Sequence, residues 1–246
     1  MLGAWSGLIA WLLLSRIKTK RTMSINSDLT ADEYIQRSRL RGTVVALQTG
    51  DVVYIRMLKC ASSFFHNNFQ NWGWTPIAFE AIDWGRHHVF AHMLDPIERR
   101  YKGAAEYIQM NNLQDIFFNN PDFRNFISQI PVFDDHTASY HEQLGNYCQL
   151  IDWIPISGLS PAETARLTEL LFWGHGIRVL DRWNWGHARP ADTRLKALQL
   201  AVRECTEQTY HDSVYRYLLR DCVLYNRVCA NFDPTQKSWD NVSWLT

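Results

Sequence analysis

Two spacings organise the apolar positions of this chain. Short runs rich in β-branched and aromatic residues, closed by turn residues, read as strands over residues 44–47, 52–57, 89–94 and 151–156. Gly50-Asp51 marks a turn between the first two runs, and Asp95-Pro96 stops the third. Longer stretches with helical spacing predict helices over 63–72, ending at Gly73, and over 97–110. Ser160-Pro161-Ala162-Glu163 opens another helix, with a good N-cap residue and Pro in the first turn, running toward His175. Residues 191–227 are mostly helical, and residues 111–130, rich in Asn and Phe, read as short helices or loops. A polar lead-in over residues 24–42 holds Thr30-Ala31-Asp32-Glu33, which resembles a capping box, so a short helix starts near Asp28 or Thr30. Two successive strand-to-helix units predict an α/β fold: one parallel sheet covered by helices. No internal repeat, low-complexity segment or linker divides it. The expected layout is an N-terminal extension over 1–23, a lead-in helix over 24–43, one domain over 44–230 and a polar tail over 231–246.

Composition narrows the class. At 246 residues, with 46% hydrophobic and 20% charged residues, the chain has enough apolar material for one α/β core and is no disordered segment. Its formal net charge of zero leaves no basic excess for neutralising a nucleic-acid backbone, so no nucleic-acid partner is expected. A local basic pocket for one small anion remains open around Arg56–Lys59 and Arg99-Arg100-Lys102. The five cysteines have no paired short spacing, which suits reduced thiols in a cytoplasmic setting better than a disulfide framework or a zinc site.

The N-terminus is read separately. Residues 2–14 are apolar, but shorter than the ~20 residues of a membrane span. The basic run Arg16–Arg21 follows this stretch rather than preceding it, and no small-x-small cleavage site appears. A dispensable extension before an ordinary start at Met23 is expected ahead of a membrane segment. Were it an anchor, the basic flank would hold the main domain on the cytoplasmic side.

Candidate chemistry concentrates in residues 52–65, where a buried strand runs through Leu58-Lys59-Cys60-Ala61-Ser62-Ser63 into a helix beginning at Phe64-Phe65. Such a junction gathers backbone N–H groups and the positive end of a helix dipole around one point, which is an anion site. Lys59 adds a mobile charge, and Ser62 and Ser63 add hydroxyl donors. The spacing G-x-x-x-x-G-K-[ST] is absent, which disfavours a nucleoside triphosphatase. The order Lys59-Cys60-Ala61-Ser62-Ser63-Phe64 resembles the 5′-phosphosulfate loop of sulfotransferases, closest to the carbohydrate-directed branch. A second segment, Leu94-Asp95-Pro96-Ile97-Glu98-Arg99-Arg100-Tyr101-Lys102, resembles the 3′-phosphate segment of that family, Arg-Asp-Pro-x-x-Arg-x-x-Ser. Asp95, Pro96 and Arg99 match it, whereas Leu94 replaces a phosphate-binding Arg and Lys102 replaces a Ser. Looser similarities run through Asp134-Asp135-His136-Thr137, Trp183-Asn184-Trp185 and residues 217–225, so that the resemblance spans about residues 44–230.

The resemblance implies a P-loop-like sulfotransferase fold. It also implies transfer of a sulfuryl group from 3′-phosphoadenosine-5′-phosphosulfate (PAPS) to a hydroxyl or amine of a small-molecule or carbohydrate acceptor, without a metal. Lys59 and the N–H groups of residues 61–64 would stabilise the leaving phosphate, with Ser62 and Ser63 holding it. Asp95, Arg99, Arg100 and Lys102 would serve the 3′-phosphate, the last two compensating for Leu94. Cys60 belongs to the donor loop as a packing residue rather than a nucleophile. His136 is the first choice of base, with His87, His88, Asp83 and Glu80 as alternatives. His88 and His92 have helical metal-ligand spacing but flank a β run, so zinc is discounted. The 11 tryptophans fit an aromatic core more simply than a sugar-stacking platform. The rival readings are a catalytically silent relative that keeps the fold, for which Leu94 argues, and a kinase-like enzyme with a divergent phosphate loop.

Overall fold

The tight turn Gly50-Asp51 sets the geometry of the first hairpin. Gly50 has φ +55, a conformation that costs a glycine nothing, and the turn closes β1 (Ala46–Thr49) on β2 (Val52–Ile55) with Thr49 opposite Val52. The structure is a computed structural model that describes residues 46–62, 73–174, 193–209 and 212–232, all belonging to one unit of the chain. On the far side of β1 lies β3 (Thr75–Ile77), again antiparallel. On the far side of β2 come β4 (His88–Met93) and β5 (Asp152–Pro155), both parallel, so the five-stranded order is β3-β1-β2-β4-β5.

The sheet is therefore mixed. The expected parallel arrangement holds for β2, β4 and β5, and the departure lies in the hairpin and in β3, which no hydrophobic run announces. Pro76 can occupy β3 because an edge strand leaves one row of backbone donors unused. Every residue of β2 is buried, and β4 is buried after His88, because both faces of the central strands are covered. Continuous apolar runs, rather than alternation, are the signature of that position.

Asp95 accepts the N–H groups of Ile97 (2.9 Å) and Glu98 (3.0 Å), and Pro96 occupies the first turn, so β4 passes directly into helix α1 (Pro96–Met110). The Asn- and Phe-rich stretch forms α2 (Gln114–Asn119) and α3 (Pro121–Gln129). A short helix, α4 (Tyr140–Leu144), and a 3-10 turn over Gly145–Gln149 lead into β5. After β5, α5 (Pro161–Gly174) begins at a capping box in which Ser160 N–H donates to Glu163 (2.7 Å) and Glu163 N–H donates to Ser160 Oγ (3.3 Å). Helices α6 (Thr193–Thr209) and α7 (Asp212–Asn231) complete the described chain.

Two cores result. The larger is built on the sheet around Val53, Tyr54, Ile55, Ala91, Met93 and Trp153, and α7 closes it through Leu224 and Val228. A second, helical core joins Ala104, Ala105 and Ile108 of α1 to Phe117, Ile127, Leu198 and Val202. No described helix is long and apolar enough to cross a membrane. The N-terminal extension, the lead-in helix, the helix expected over 63–72, Ser63 and Phe64, the Trp183-Asn184-Trp185 segment and the tail from residue 233 lie outside the described residues.

Candidate functional site

The three parallel strands end at one edge of the sheet, and the segments leaving β2 and β4 carry most of the candidate residues. In open α/β sheets this carboxyl edge is where ligands bind. After β2 the chain turns sharply, with Cys60 N–H donating to Met57 O (3.1 Å). Lys59 (φ +69) and Ala61 (φ +57) both occupy the left-handed region, at a cost of about 1–2 kcal/mol each for residues bearing a Cβ. Strain of this kind persists only where surrounding contacts dictate it. Here they do. Arg99 Nε donates to Leu58 O (3.0 Å), Tyr54 Oη donates to Cys60 O (3.3 Å), and Cys60 Sγ meets Tyr140 Oη (3.2 Å). Cys60 is fully buried, and burial pushes its thiol above the usual range, so it packs and is not poised as a thiolate.

Tyr140 is the pin of this arrangement. Its hydroxyl also accepts from Leu94 N–H (3.0 Å) and donates to Leu94 O (3.0 Å), and the Arg99 guanidinium lies 4.8 Å from its ring centre. The ring thus ties the turn after β2 to the end of β4 and to α1. Tyr140 is held in place from α7, where Asp221 accepts the N–H groups of Tyr140 (2.6 Å) and His141 (3.1 Å). The Tyr217 hydroxyl accepts Ser139 N–H (2.7 Å) beside them.

The Lys59 side chain points toward α1 and forms an ion pair with Glu106 Oε2. His136 Nε2 lies 3.6 Å from the same oxygen, while its Nδ1 lies 3.1 Å from Asp134 Oδ2 and its backbone N–H donates to Asp134 Oδ1 (2.9 Å). The two residues expected to carry catalysis, Lys59 and His136, therefore meet at one carboxylate. Lys102 stands one turn before Glu106 and pairs with Glu98 (2.5 Å). Burial pushes the Lys59 ammonium down to about 8, opposed by Asp134 and reinforced by Lys102 and Arg99.

A helix-interior glycine lets the His136 turn come this close. A Cβ on Gly103 would stand 2.6 Å from His136 O and 2.8 Å from its carbonyl carbon, so only glycine fits. The turn is knit by Thr137, whose hydroxyl accepts from Phe133 N–H (2.8 Å) and Asp134 N–H (3.1 Å) and donates to Asp134 O (2.9 Å).

Other expected residues have different surroundings. Asp95 caps α1, and its own N–H donates to Ser157 Oγ (2.5 Å). Arg99 donates to the carbonyls of Leu58, Ala138 and Asp135, bracing the turns on either side of the cluster. Arg100 points away into the helical core, donating to Thr206 Oγ1 (2.9 Å), Ile127 O (2.6 Å) and Ile130 O (2.7 Å). The structure does not bring it to Lys59, because the residue next to a buried helix face turns 100° away around the axis. Leu94 is buried in the main core at 5% exposure. Ala61 and Ser62, both half-buried, complete the described part of the loop.

Among the alternative bases, His87, His88 and Asp83 sit at the opposite, amino edge of β4. There His88 N–H donates to Asp51 O (2.8 Å), and His87 Nδ1 accepts Asp83 N–H (3.0 Å). Glu80 is exposed on the short helical turn Phe79–Ala81. His92 is fully buried between Tyr54 Oη (3.2 Å) and Thr168 Oγ1 (2.8 Å), and desolvation pushes its imidazole down to about 3, so it is a neutral core group. Among the described residues no group of three or more His, Cys, Asp or Glu is arranged to hold a metal ion. Trp74 is buried and Trp84 stacks on Tyr147 (4.7 Å), both as packing residues.

Sequence reasoning missed Glu106, Gly103 and Tyr140. A signal existed for two of them: Arg99, Gly103 and Glu106 share one face of α1 at i, i+4 and i+7, an odd company for a solvent face. Compared with protein-family models, curated proteins and solved structures, the chain matches none of them.

Proposed function

We propose that this chain is a PAPS-dependent sulfotransferase of P-loop-like fold, acting on a hydroxyl or amine of a small-molecule or carbohydrate acceptor, in the cytoplasm. The observation that carries the reading is the convergence of Lys59 and His136 on Glu106 at the carboxyl edge of the parallel strands. In that reading the acceptor oxygen attacks sulfur as the bridging S–O bond to the 5′-phosphate breaks. The bond electrons leave with the phosphate, where Lys59 meets the developing charge. The acceptor's proton passes to the His136 side of the cluster. Ser62 and Ser63, with the loop N–H groups and Phe64, would hold the 5′-phosphate, and Lys102 would serve the 3′-phosphate.

A second reading, a silent relative that binds without transferring, has its own support. Leu94 is buried, Arg99 bonds to backbone carbonyls and Arg100 belongs to the helical core, which leaves the 3′-phosphate side with Lys102. Thermal stability in 3′,5′-bisphosphoadenosine (PAP), AMP and ATP tests the donor site. PAP alone should stabilise the protein, by about 2.7 kcal/mol at 100-fold over its dissociation constant. Equal effects of the three nucleotides, or none, remove the donor reading. Stabilisation by PAP without sulfuryl transfer to any of a panel of hydroxyl and amine acceptors favours the silent relative.

A further inference from the structure

We propose that Glu106 is an internal counter-ion of Lys59 that competes with the anion of an incoming donor, and that its displacement turns Glu106 and His136 into the acceptor of the substrate's proton. This rests on the donor-site reading above and deepens it.

The cations along α1 divide by partner. Arg99 and Arg100 donate to backbone carbonyls, which cannot leave. Lys59 and Lys102 pair instead with carboxylates carried by α1 itself, Glu106 and Glu98. A side-chain pair can be exchanged for another anion without unfolding anything. Lys59 is suited to such an exchange because Arg99 and Tyr54 hold the carbonyls of its neighbours Leu58 and Cys60, while its ammonium is a point charge carried on a four-carbon stem.

Glu106 is equally constrained. Its Oε2 is shielded from solvent and faces both Lys59 and His136. His136 cannot turn away, because Asp134 holds both its Nδ1 and its backbone N–H. With the Nδ1 proton directed at Asp134, Nε2 faces Glu106 at 3.6 Å, an attractive contact only when a proton lies between them. The charge of Lys59 stabilises the ionised carboxylate. Once a donor phosphate draws Lys59 away, that stabilisation falls and the carboxylate–imidazole pair binds a proton more strongly. The acceptor's O–H proton moves to this pair as the oxygen's electrons form the bond to sulfur, and the bridging S–O electrons leave with the phosphate. Binding of the donor thereby arms the base.

The test is a double-mutant cycle read by calorimetric PAP binding to the full chain: wild type, Glu106→Gln, Lys59→Met and the double variant. Glu106→Gln should bind PAP about tenfold more tightly than wild type, the equivalent of one lost competing contact. The same substitution should change nothing in the Lys59→Met background. Glu106→Asp, which keeps the charge on a shorter stem, should give a smaller gain and serves if the Gln variant melts early. A merely structural Glu106 gives no tightening. Wild-type binding that Glu106→Gln leaves equal or weaker overturns the counter-ion and leaves the donor site standing. Absence of PAP binding in both proteins overturns the donor reading and the competition with it. NMR titration of reductively methylated Lys59 distinguishes these failures, since removing a genuine counter-ion lowers the titration midpoint of Lys59 whether or not PAP binds.

Discussion

Arg99 and Arg100 on one side, Lys59 and Lys102 on the other, are four cations within or against the same helix, yet they serve two different ends. The arginines are almost fully buried, at 2% and 1% exposure, and their fan-shaped donor groups knit turns and helix ends together. The lysines are partly exposed point charges paired with carboxylates. A planar, always-charged group suits fixed carbonyls, and a flexible ammonium suits a partner that changes. Matching a basic residue to a phosphate-binding pattern therefore says little until its acceptors are known. Arg99 matches the pattern and is a brace, whereas Lys102 departs from it and keeps a charge at the edge.

The sharpest separation between the two sets comes from Arg100. Arg100→Met leaves the carbonyls of Ile127 and Ile130 and the Thr206 hydroxyl without their donor inside the helical core. The expected loss is about 3–5 kcal/mol of unfolding free energy, by denaturant titration, with the PAP affinity of the folded fraction unchanged. A mild loss of stability with a large loss of affinity would place Arg100 among the ligand-binding cations and erase the distinction. Lys59→Met is the mirror experiment. Turnover on a working acceptor should fall by about 100-fold or more, as for a lost oxyanion donor, with a far smaller change in stability. Near-normal turnover would remove Lys59 from the chemistry.

The same contrast explains what was legible beforehand. The strands over 52–57, 89–94 and 151–156, the cap at Asp95-Pro96 and the capping box at Ser160 all depend on local composition, and each appears within a residue or two of expectation. Strand β3 does not, because three residues including a proline pair with β1 through backbone geometry alone. At the site, Lys59 and His136 were legible as residue types beside turns. Their convergence was not, since it depends on Gly103 admitting the His136 turn against α1 and on Tyr140 pinning the loop from another element. Arg100 misled because a basic residue beside Arg99 looks available in sequence, and only the direction of the helix face decides otherwise.

Tyr140 joins the two sets and tests whether they are mechanically independent. Tyr140→Phe removes a hydroxyl that bonds both backbone groups of Leu94 and approaches Cys60 Sγ, while the ring stays beneath Arg99. Leaving Leu94 N–H without its acceptor should cost about 1–3 kcal/mol by denaturant titration. Because Cys60 sits between the strained Lys59 and Ala61, PAP affinity should fall as well. A variant that loses stability but binds PAP normally would show that the loop holds its shape without this pin.

The smallest effect isolates the charge of Lys59 itself. Burial brings its ammonium to about 8, against about 10.4 in the unfolded chain, with Asp134 pulling upward and Lys102 and Arg99 downward. The folded state thus disfavours the proton. Its unfavourable contribution to stability is fully present below pH 8 and is relieved as pH rises from 8 toward about 10.4. Anion binding has the opposite sign, because it needs the charged form: affinity is highest below pH 8 and falls by up to about tenfold for each pH unit above it. Calorimetry of PAP binding at pH 7, 8 and 9 should show this fall in wild type and a shallower profile in Lys59→Met. A slope that persists undiminished in the methionine variant would mean that another group supplies the titrating charge.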